Sequence, residues 1–375
     1  MLRLDDLTGL TSPGPYATAY FDATRKTEEG AEEVALRWRA QQEDLARDGA
    51  DGRTLEAMWE AAVAADHAPG EHGRMLVGRD GQVRHDALLP FPPRWQGSRW
   101  SPLPHLMPMV AQLAPLVPHV VAIVDRTGGE VVVTGPRSRT EQEVEGREYP
   151  VHKTGAGGWS SLRYQHSTEH TWKANARAVA RRVDDAVRQT RARLVVVAGD
   201  VWERADLLRE LEDEARAVAV EVEEGSRHAG ADNDALQIRV DRLVAEIAAR
   251  DDLEVIDRFI EARGRARAGV SDVLAVQGLA DTVEAFQKAQ VDTLLIVDDP
   301  SSEVEAWFGP DPVLVALAAE DLRQLGVPDP SRDRLDAALV RAAIGTDAAI
   351  VTLTPHQLPL ADGIGASLRY PDPRS

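Results

Sequence analysis

The chain has 375 residues, of which 43% are hydrophobic; it contains no cysteine and carries a formal net charge of −19. Its length exceeds one ordinary core and calls for two or three domains, and its apolar content is that of globular protein. The composition excludes disulfides, thiolate nucleophiles and cysteine-ligated metals, and the acidity argues against generic nucleic-acid binding. No apolar run approaches the length of a membrane span, and "MLRLDDLTGL" lacks the basic-then-apolar order of a secretory signal. A cytoplasmic protein without membrane contact is expected.

The first region, 1–117, mixes helix and strand signals. "PYATAYFD" (Pro15 to Asp22) reads as a strand, and "EEGAEEVALRWRAQQEDLARDG" as an amphipathic helix ended by Gly49. "RMLVGRDGQVRHDALL" predicts a hairpin, with Asp80-Gly81 supplying the positive φ values of a tight turn. "LPFPPRWQGSRWSPLPHLMP" fits neither periodicity and is expected to be a loop or junction.

The second region, 118–230, opens with two apolar strands in "HVVAIVDRTGGEVVVTG", placed around Gly128-Gly129. A glycine loop, a helix of about thirty residues, the buried strand "RLVVVAGD" and an acidic helix from Val201 follow. The polar stretch Glu223 to Ala235 is expected to be a linker. The third region, 231–375, predicts helices near Leu236–Ala248, Leu253–Gly264 and Gly278–Ala289, then the strand "VDTLLIV". An insert with "WFGPDP", the helix "RLDAALVRAAIGT", the strand "AAIVTLT" and the ending "GIGASLRY" complete it. The fold class is α/β, an α+β multidomain chain of three mixed domains, the last a small α/β/α sandwich.

The segment "HKTGAGGWSSLRYQHSTEHTWKANARAVARR" (His152 to Arg182) stands out. Gly155, Gly157 and Gly158 allow positive φ and close approach to another surface. Ser160 or Ser161 can cap the helix that follows, whose terminus attracts anions. Arg163, Lys173, Arg177, Arg181 and Arg188 supply cations along it, and Trp159 at the loop tip offers a face for stacking on an unpaired base. Charge is segregated: Lys153 to Arg193 holds nine Lys/Arg against three Asp/Glu, whereas Asp200 to Arg258 holds eighteen acidic residues against eight basic ones. RNA contact is one reading; a surface loop with Trp159 folded back and a solvated helix behind it is the other. The acidic stretch faces solvent or a basic partner.

Sharper chemical readings fail. "HSTEH" (His166 to His170) has the H-x-x-E-H spacing of a zinc peptidase, but no third ligand is nominated nearby. "TGAGGWSS" lacks the Gly-Lys-Ser/Thr of a phosphate-binding loop, and no G-x-S-x-G elbow is present. "DHAPGEH" (Asp66 to His72) sits among turn formers. No metal or other cofactor is expected.

"GGWSSLRYQ" resembles the GGQ loop and following helix of the eukaryotic and archaeal class-1 peptide release factors. Gly157, Gly158, Ser160, Leu162, Arg163 and Tyr164 match that pattern position by position. "VDTLLIVDD" (Val291 to Asp299) and "GIGASLRY" (Gly363 to Tyr370) resemble the core and closing strands of that family's last domain, and are similar to Pelota. The resemblance implies three domains, with the middle one able to reach the peptidyl-transferase region. Two departures matter. The catalytic Gln of the family is replaced by Trp159, which donates one hydrogen bond but lacks an amide's paired donor and acceptor. No NIKS-type sequence is present to read stop codons.

Such a chain is similar to the bacterial branch of the family, which includes Balon-like ribosome hibernation factors, and its arginine bias suits an actinobacterial member. The resemblance implies a monomeric, non-catalytic stress-response protein at the A site of idle 70S ribosomes, with elongation factor Tu as a candidate partner. Lys153, Gly155, Gly157, Gly158, Trp159, Ser160, Arg163, Lys173 and Arg177 would then meet ribosomal RNA. Two alternatives stay open. One is a ribosome-rescue peptidyl-tRNA hydrolase or tRNA endonuclease of the same fold, with Gln165 standing in for the missing Gln. The other is a cytosolic interaction module unrelated to ribosomes.

Overall fold

The computed structural model describes residues 2, 4–24, 30–64, 72–136, 138–145, 159–228, 231, 233–267, 274–354 and 356–371. They fall into two compact units. One draws on Met1–His67, Glu71–Leu116 and Ala249–Ser375, the other chiefly on Val117–Ala248.

In the first unit β1 (Tyr16–Asp22) is followed by α1 (Gly30–Arg47), α2 (Gly52–Ala64) and the hairpin of β2 (Gly73–Arg79) and β3 (Gln82–Leu89). The hairpin turn has φ 53° at Asp80 and 71° at Gly81, as expected for a two-residue turn matched to strand twist. α2 escaped the sequence reading. Asp51 starts it, accepting from the Thr54 N–H at 2.9 Å and the Thr54 hydroxyl at 2.6 Å, and these bonds hold the Asp51 pKa down.

The segment read as a junction contains β4 (Gly97–Ser101) and leads into α3 (Met107–Leu113). β4 pairs antiparallel with β1, giving the order β3-β2-β1-β4. Long-range pairing, which local patterning cannot register, supplies its backbone partners.

The second unit carries β5 (His119–Asp125), β6 (Gly128–Thr134), β7 (Arg139–Glu145), α4 (Trp159–Thr190), β8 (Leu194–Gly199), α5 (Val201–Glu210), α6 (Asp213–Ala217) and β9 (Ala219–Glu221). Its sheet runs β7-β6-β5-β8-β9, with β5, β8 and β9 parallel. The β5–β6 turn is Arg126-Thr127; Gly128 and Gly129 already belong to β6. Asp125 accepts from the Thr127 and Gly128 N–H groups, so a carboxylate shapes the turn in place of the expected glycines. Val120, Ala122 and Val124 of β5 face a core with α4 and α5, while Val121 and Ile123 face one with Leu236 and Val240. A strand buried on both faces explains the unbroken apolar run.

α7 (Asp234–Arg267) is one helix of 34 residues where two were expected. Between the two expected segments lies the polar Arg250-Asp251-Asp252, but no Gly or Pro interrupts the backbone there, and polar side chains alone leave a helix intact; Asp252 accepts from the Gln357 amide at 3.0 Å. It is followed in the first unit by β10 (Ala275–Gln277), α8 (Leu279–Gln287), β11 (Val291–Val297), β12 (Glu305–Phe308), β13 (Val315–Ala316), α9 (Ala319–Gln324), β14 (Ser331–Arg334), α10 (Leu335–Gly345), β15 (Ala349–Leu353) and β16 (Ile364–Leu368).

The sheet β10-β16-β11-β15 has β11 parallel to β15 and antiparallel to β16. Leu294 and Ile296 pack with α8 and α10 on one face, and Leu295 packs with Ile256 and Phe259 of α7 on the other. The expected α/β/α sandwich is observed. The "WFGPDP" insert is a further sheet, β13-β12-β14. Leu7, Tyr20 and Leu103 share one core with Phe286, Leu339 and Ile350, so both ends of the chain build this unit.

Candidate functional site

The lower half of α4 shows what fixes the helix. Asn175, Ala176, Val179, Ala180, Val183, Ala186 and Val187 are buried at helical spacing and pack on β5 and β6. Gly129 of β6 permits this approach: a Cβ there would meet Val179 Cγ2 at 2.8 Å. Asn175 donates its side-chain N–H to Arg126 O at 3.0 Å, marking where the helix meets the C-terminal end of β5. Lys173 and Ala174 are exposed. The helix continues back to Trp159. At about 1.5 Å per residue, the stretch before Asn175 is about 24 Å of helix.

Lys153, Gly155, Gly157 and Gly158 lie outside the described residues. Trp159, Ser160 and Arg163 have helical backbones, while their side chains, like those of Gln165, His166 and His170, lie outside the described set. Trp159 therefore has helical backbone rather than that of a loop tip, and Ser160 and Ser161 are helical as well. With helical backbone, neither serine occupies an N-cap position.

The charge segregation seen along the sequence closes in space. Arg177 donates through Nε to Glu210 Oε2 at 2.9 Å, which raises its pKa. Arg188 meets Glu212 at 2.5 Å and Asp185 at 2.6 Å. Buried Asp184 accepts from the Glu212 N–H at 3.1 Å, and burial pushes its pKa up. The acids of α5 and the turn after it thus sit on the arginines of α4, and that part of the acidic stretch faces neither solvent alone nor a foreign partner. Among these candidates Lys173 remains exposed, with no ion pair among the described residues.

At the same end of the sheet Arg227 bonds Asp125 and Glu143, each at 2.7 Å, and buried Arg204 bonds Glu221 at 2.8 Å. Trp202 is 75% exposed and Val201 62%, beside Glu203, which pairs with Arg126 at 3.5 Å. Sequence reasoning passed over Trp202; the signal was an aromatic residue opening a helix directly after a buried strand. Among the described residues no group of three His, Asp or Glu could hold a metal, and no helix is long and apolar enough to cross a membrane. Of Asp66 to His72 only His72 is described, and it is buried.

A three-layer α/β unit followed by a small α/β/α sandwich, with a glycine-rich segment feeding a long helix, defines a release-factor-like class. Residues 118–265 match the profile described as bacterial archaeo-eukaryotic release factor family 2. An uncharacterized protein of Mycobacterium tuberculosis, found in strains CDC 1551 / Oshkosh and ATCC 25618 / H37Rv, is 31% identical over 362 residues, covering 96% of this chain and 95% of its own. The chain belongs to the bacterial branch of the archaeo-eukaryotic release factor family. Among solved structures it is similar to the archaeal termination factor aRF1, at 14% identity and TM-score 0.28, covering 96% of this chain and 94% of that one. It is also similar to Archaeoglobus fulgidus Pelota, at 15% identity and TM-score 0.32, covering 98% and 92%.

Proposed function

We propose that the protein is a ribosome-binding translation factor that occupies the A site of idle ribosomes and places the Gly157-Gly158-Trp159 segment toward the peptidyl-transferase region without hydrolysis. The observation that carries this reading is Trp159, standing where the family loop has Gln, on a 32-residue helix whose C-terminal half packs on the sheet of the second unit. Family membership supports the ribosome as partner. An indole N–H cannot accept from water, so it cannot orient a hydrolytic water as an amide does.

In this reading Gly155, Gly157 and Gly158 give reach and Trp159 stacks on ribosomal RNA. Lys153, Arg163 and Lys173 neutralise phosphates, with Ser160 nearby. Arg177 joins them only by exchanging Glu210 for a phosphate. Hibernation in the cytoplasm, action as a monomer, elongation factor Tu as companion and a division into segments 1–117, 118–230 and 231–375 belong to the same proposal.

Co-sedimentation with 70S ribosomes, combined with a peptidyl-tRNA release assay, tests it. Binding without release is expected, and Trp159→Ala should weaken binding on the order of tenfold while leaving its salt dependence unchanged. Rapid release that is lost in Gln165→Ala would establish the hydrolase instead. Absence of co-sedimentation at low salt would remove the ribosome from the reading.

A further inference from the structure

The first unit holds a cavity of about 380 Å³ at the C-terminal end of β11, lined among others by Arg94, Trp95, Arg99, His105, Asp298 and Arg334. Asp298 follows directly on the last residue of β11, which is parallel to β15, and this is the edge at which open α/β sheets bind ligands. An adjoining pocket of about 270 Å³ shares Met107, Arg334 and Asp336, so the two meet along those side chains. The volume falls within the ~300–1,000 Å³ of small-molecule sites.

The lining residues divide into a fixed frame and groups left without protein partners. Arg99 is bound to Asp333 at 2.6 Å. Arg334 holds Asp336 through Nε at 3.0 Å and Nη2 at 2.5 Å, and Ser302 O through Nη1 at 2.6 Å. Trp95 is set edge-on to Tyr20, with ring centroids 5.7 Å apart, and to His105 at 5.2 Å. Its ring rests on Gly97, where a Cβ would meet it at 2.7 Å.

Other groups are uncommitted. Asp298 is half-buried and makes no hydrogen bond or ion pair among the described residues, and burial raises its pKa. His105 is 8% exposed, and its Nδ1 has no hydrogen-bond partner among the described residues. Arg94 is exposed at the rim, and its charge reaches Asp298. A rigid indole, a free carboxylate and a free guanidinium around one cavity are the three complements of a nucleotide.

We propose that this cavity binds a guanine nucleotide, with the base stacked on Trp95, its N–H edge donating to Asp298 and its phosphate on Arg94. Guanine presents two adjacent N–H donors that match both oxygens of one carboxylate, whereas adenine offers one amino group and a ring acceptor that the carboxylate repels. A phosphate suits the planar donor fork of Arg94. Free mononucleotide and an unpaired guanosine in RNA share this chemistry. The site does not rest on the reading of α4.

Isothermal titration of the full chain with GMP, guanosine, AMP, inorganic phosphate and a single-stranded tetranucleotide containing one guanine decides the matter. GMP should bind at one site per chain, with guanosine and AMP each weaker by on the order of tenfold and inorganic phosphate silent. Arg94→Ala should bring GMP down to the affinity of guanosine without changing guanosine itself. Asp298→Asn should abolish the preference for GMP over AMP. Trp95→Ala should cost on the order of tenfold or more; because Trp95 also packs on Tyr20 and His105, that variant is read only if its thermal melting stays cooperative. A tetranucleotide that binds more tightly than GMP assigns the site to RNA, and an equal or weaker one assigns it to free nucleotide. No saturable binding of GMP or the tetranucleotide at millimolar concentration, or binding indifferent to both Arg94→Ala and Asp298→Asn, overturns the proposal.

Discussion

Arg341 on α10 and Arg177 on α4 are the same residue type on helices of the two units, in opposite surroundings. Arg341 is 2% exposed and donates to Thr11 O at 2.5 Å, Gly309 O at 3.0 Å and Pro310 O at 2.7 Å, with Phe308 beneath it at 5.4 Å. Burial pushes its pKa down to about 10 against the opposing pull of Asp311. Arg177 is exposed and meets one carboxylate, Glu210. The first is a three-way clamp on backbone, with the Gly309 carbonyl in a buried residue and those of Thr11 and Pro310 nearer the surface. The second is a pair that water and salt can exchange. In a chain with this many arginines, solvent access rather than residue type decides which ones hold the fold and which remain available to a partner.

The largest effect expected from breaking the contrast is at the clamp. Arg341→Met keeps the volume but removes the donor to the buried Gly309 carbonyl, a loss of about 1–3 kcal/mol, and the weaker bonds to the part-buried Thr11 and Pro310 carbonyls. We expect a loss of about 2–3 kcal/mol, read as a fall in the urea midpoint. A midpoint within error of wild type would show that water reaches those carbonyls and that the clamp is dispensable.

A second test uses the buried histidines. His105 in the first unit is held at a pKa of about 4, chiefly by burial, with Arg99 and Arg334 adding to it and Asp336 opposing. His119 in the second unit is also lowered by burial, but its bond to Val117 O works the other way. A depressed histidine leaves the unfolded chain binding more protons, so the stability it contributes is complete above the ordinary pKa of about 6.5 and declines as pH falls toward about 4. Between pH 7 and pH 5 this amounts to about 2 kcal/mol for His105, at about 1.36 kcal/mol per unit. His105→Gln should remove that much of the pH slope and His119→Gln less. Equal slopes in wild type and His105→Gln would mean that the ring is solvated in solution.

How far the sequence alone reached follows the same divide between local pattern and distant partner. β5, β8 and β11 were legible because strands buried on both faces carry unbroken apolar runs, as over residues 120–124, 194–198 and 294–297. β7 was not: "RTEQEVE" is a polar edge strand, the composition that keeps an edge from pairing elsewhere. β4 was masked by Pro- and Trp-rich neighbours until β1 supplied its hydrogen bonds. The glycine segment and its helix were visible as a motif, and the family followed from them. That Arg177 is paired was not visible, since Glu210 lies 33 positions away on another helix. The cavity was less legible still, because Trp95 and Asp298 meet only through the shared core of the two chain ends.

The smallest effect on stability has the sharpest consequence for the proposed ribosome contact. Glu210→Gln removes the charge that holds Arg177 while keeping a side chain of the same shape. Exposed pairs of this kind contribute little once water and salt screen them, so the urea midpoint should barely move. Binding to 70S ribosomes should respond, because each cation that reaches a phosphate adds about 0.7–0.9 to the slope of log affinity against log salt. With Glu210 in place Arg177 contributes little to that slope; with Gln at 210 it is available, and the slope should steepen by up to one such increment. Arg177→Ala should leave the wild-type slope nearly unchanged, and in combination with Glu210→Gln it should cancel the gain. Arg163→Ala, by contrast, should flatten the slope in either background. A Glu210→Gln slope identical to wild type, with Arg163→Ala still flattening it, would confine the contact to the N-terminal half of α4 and place Arg177 outside it.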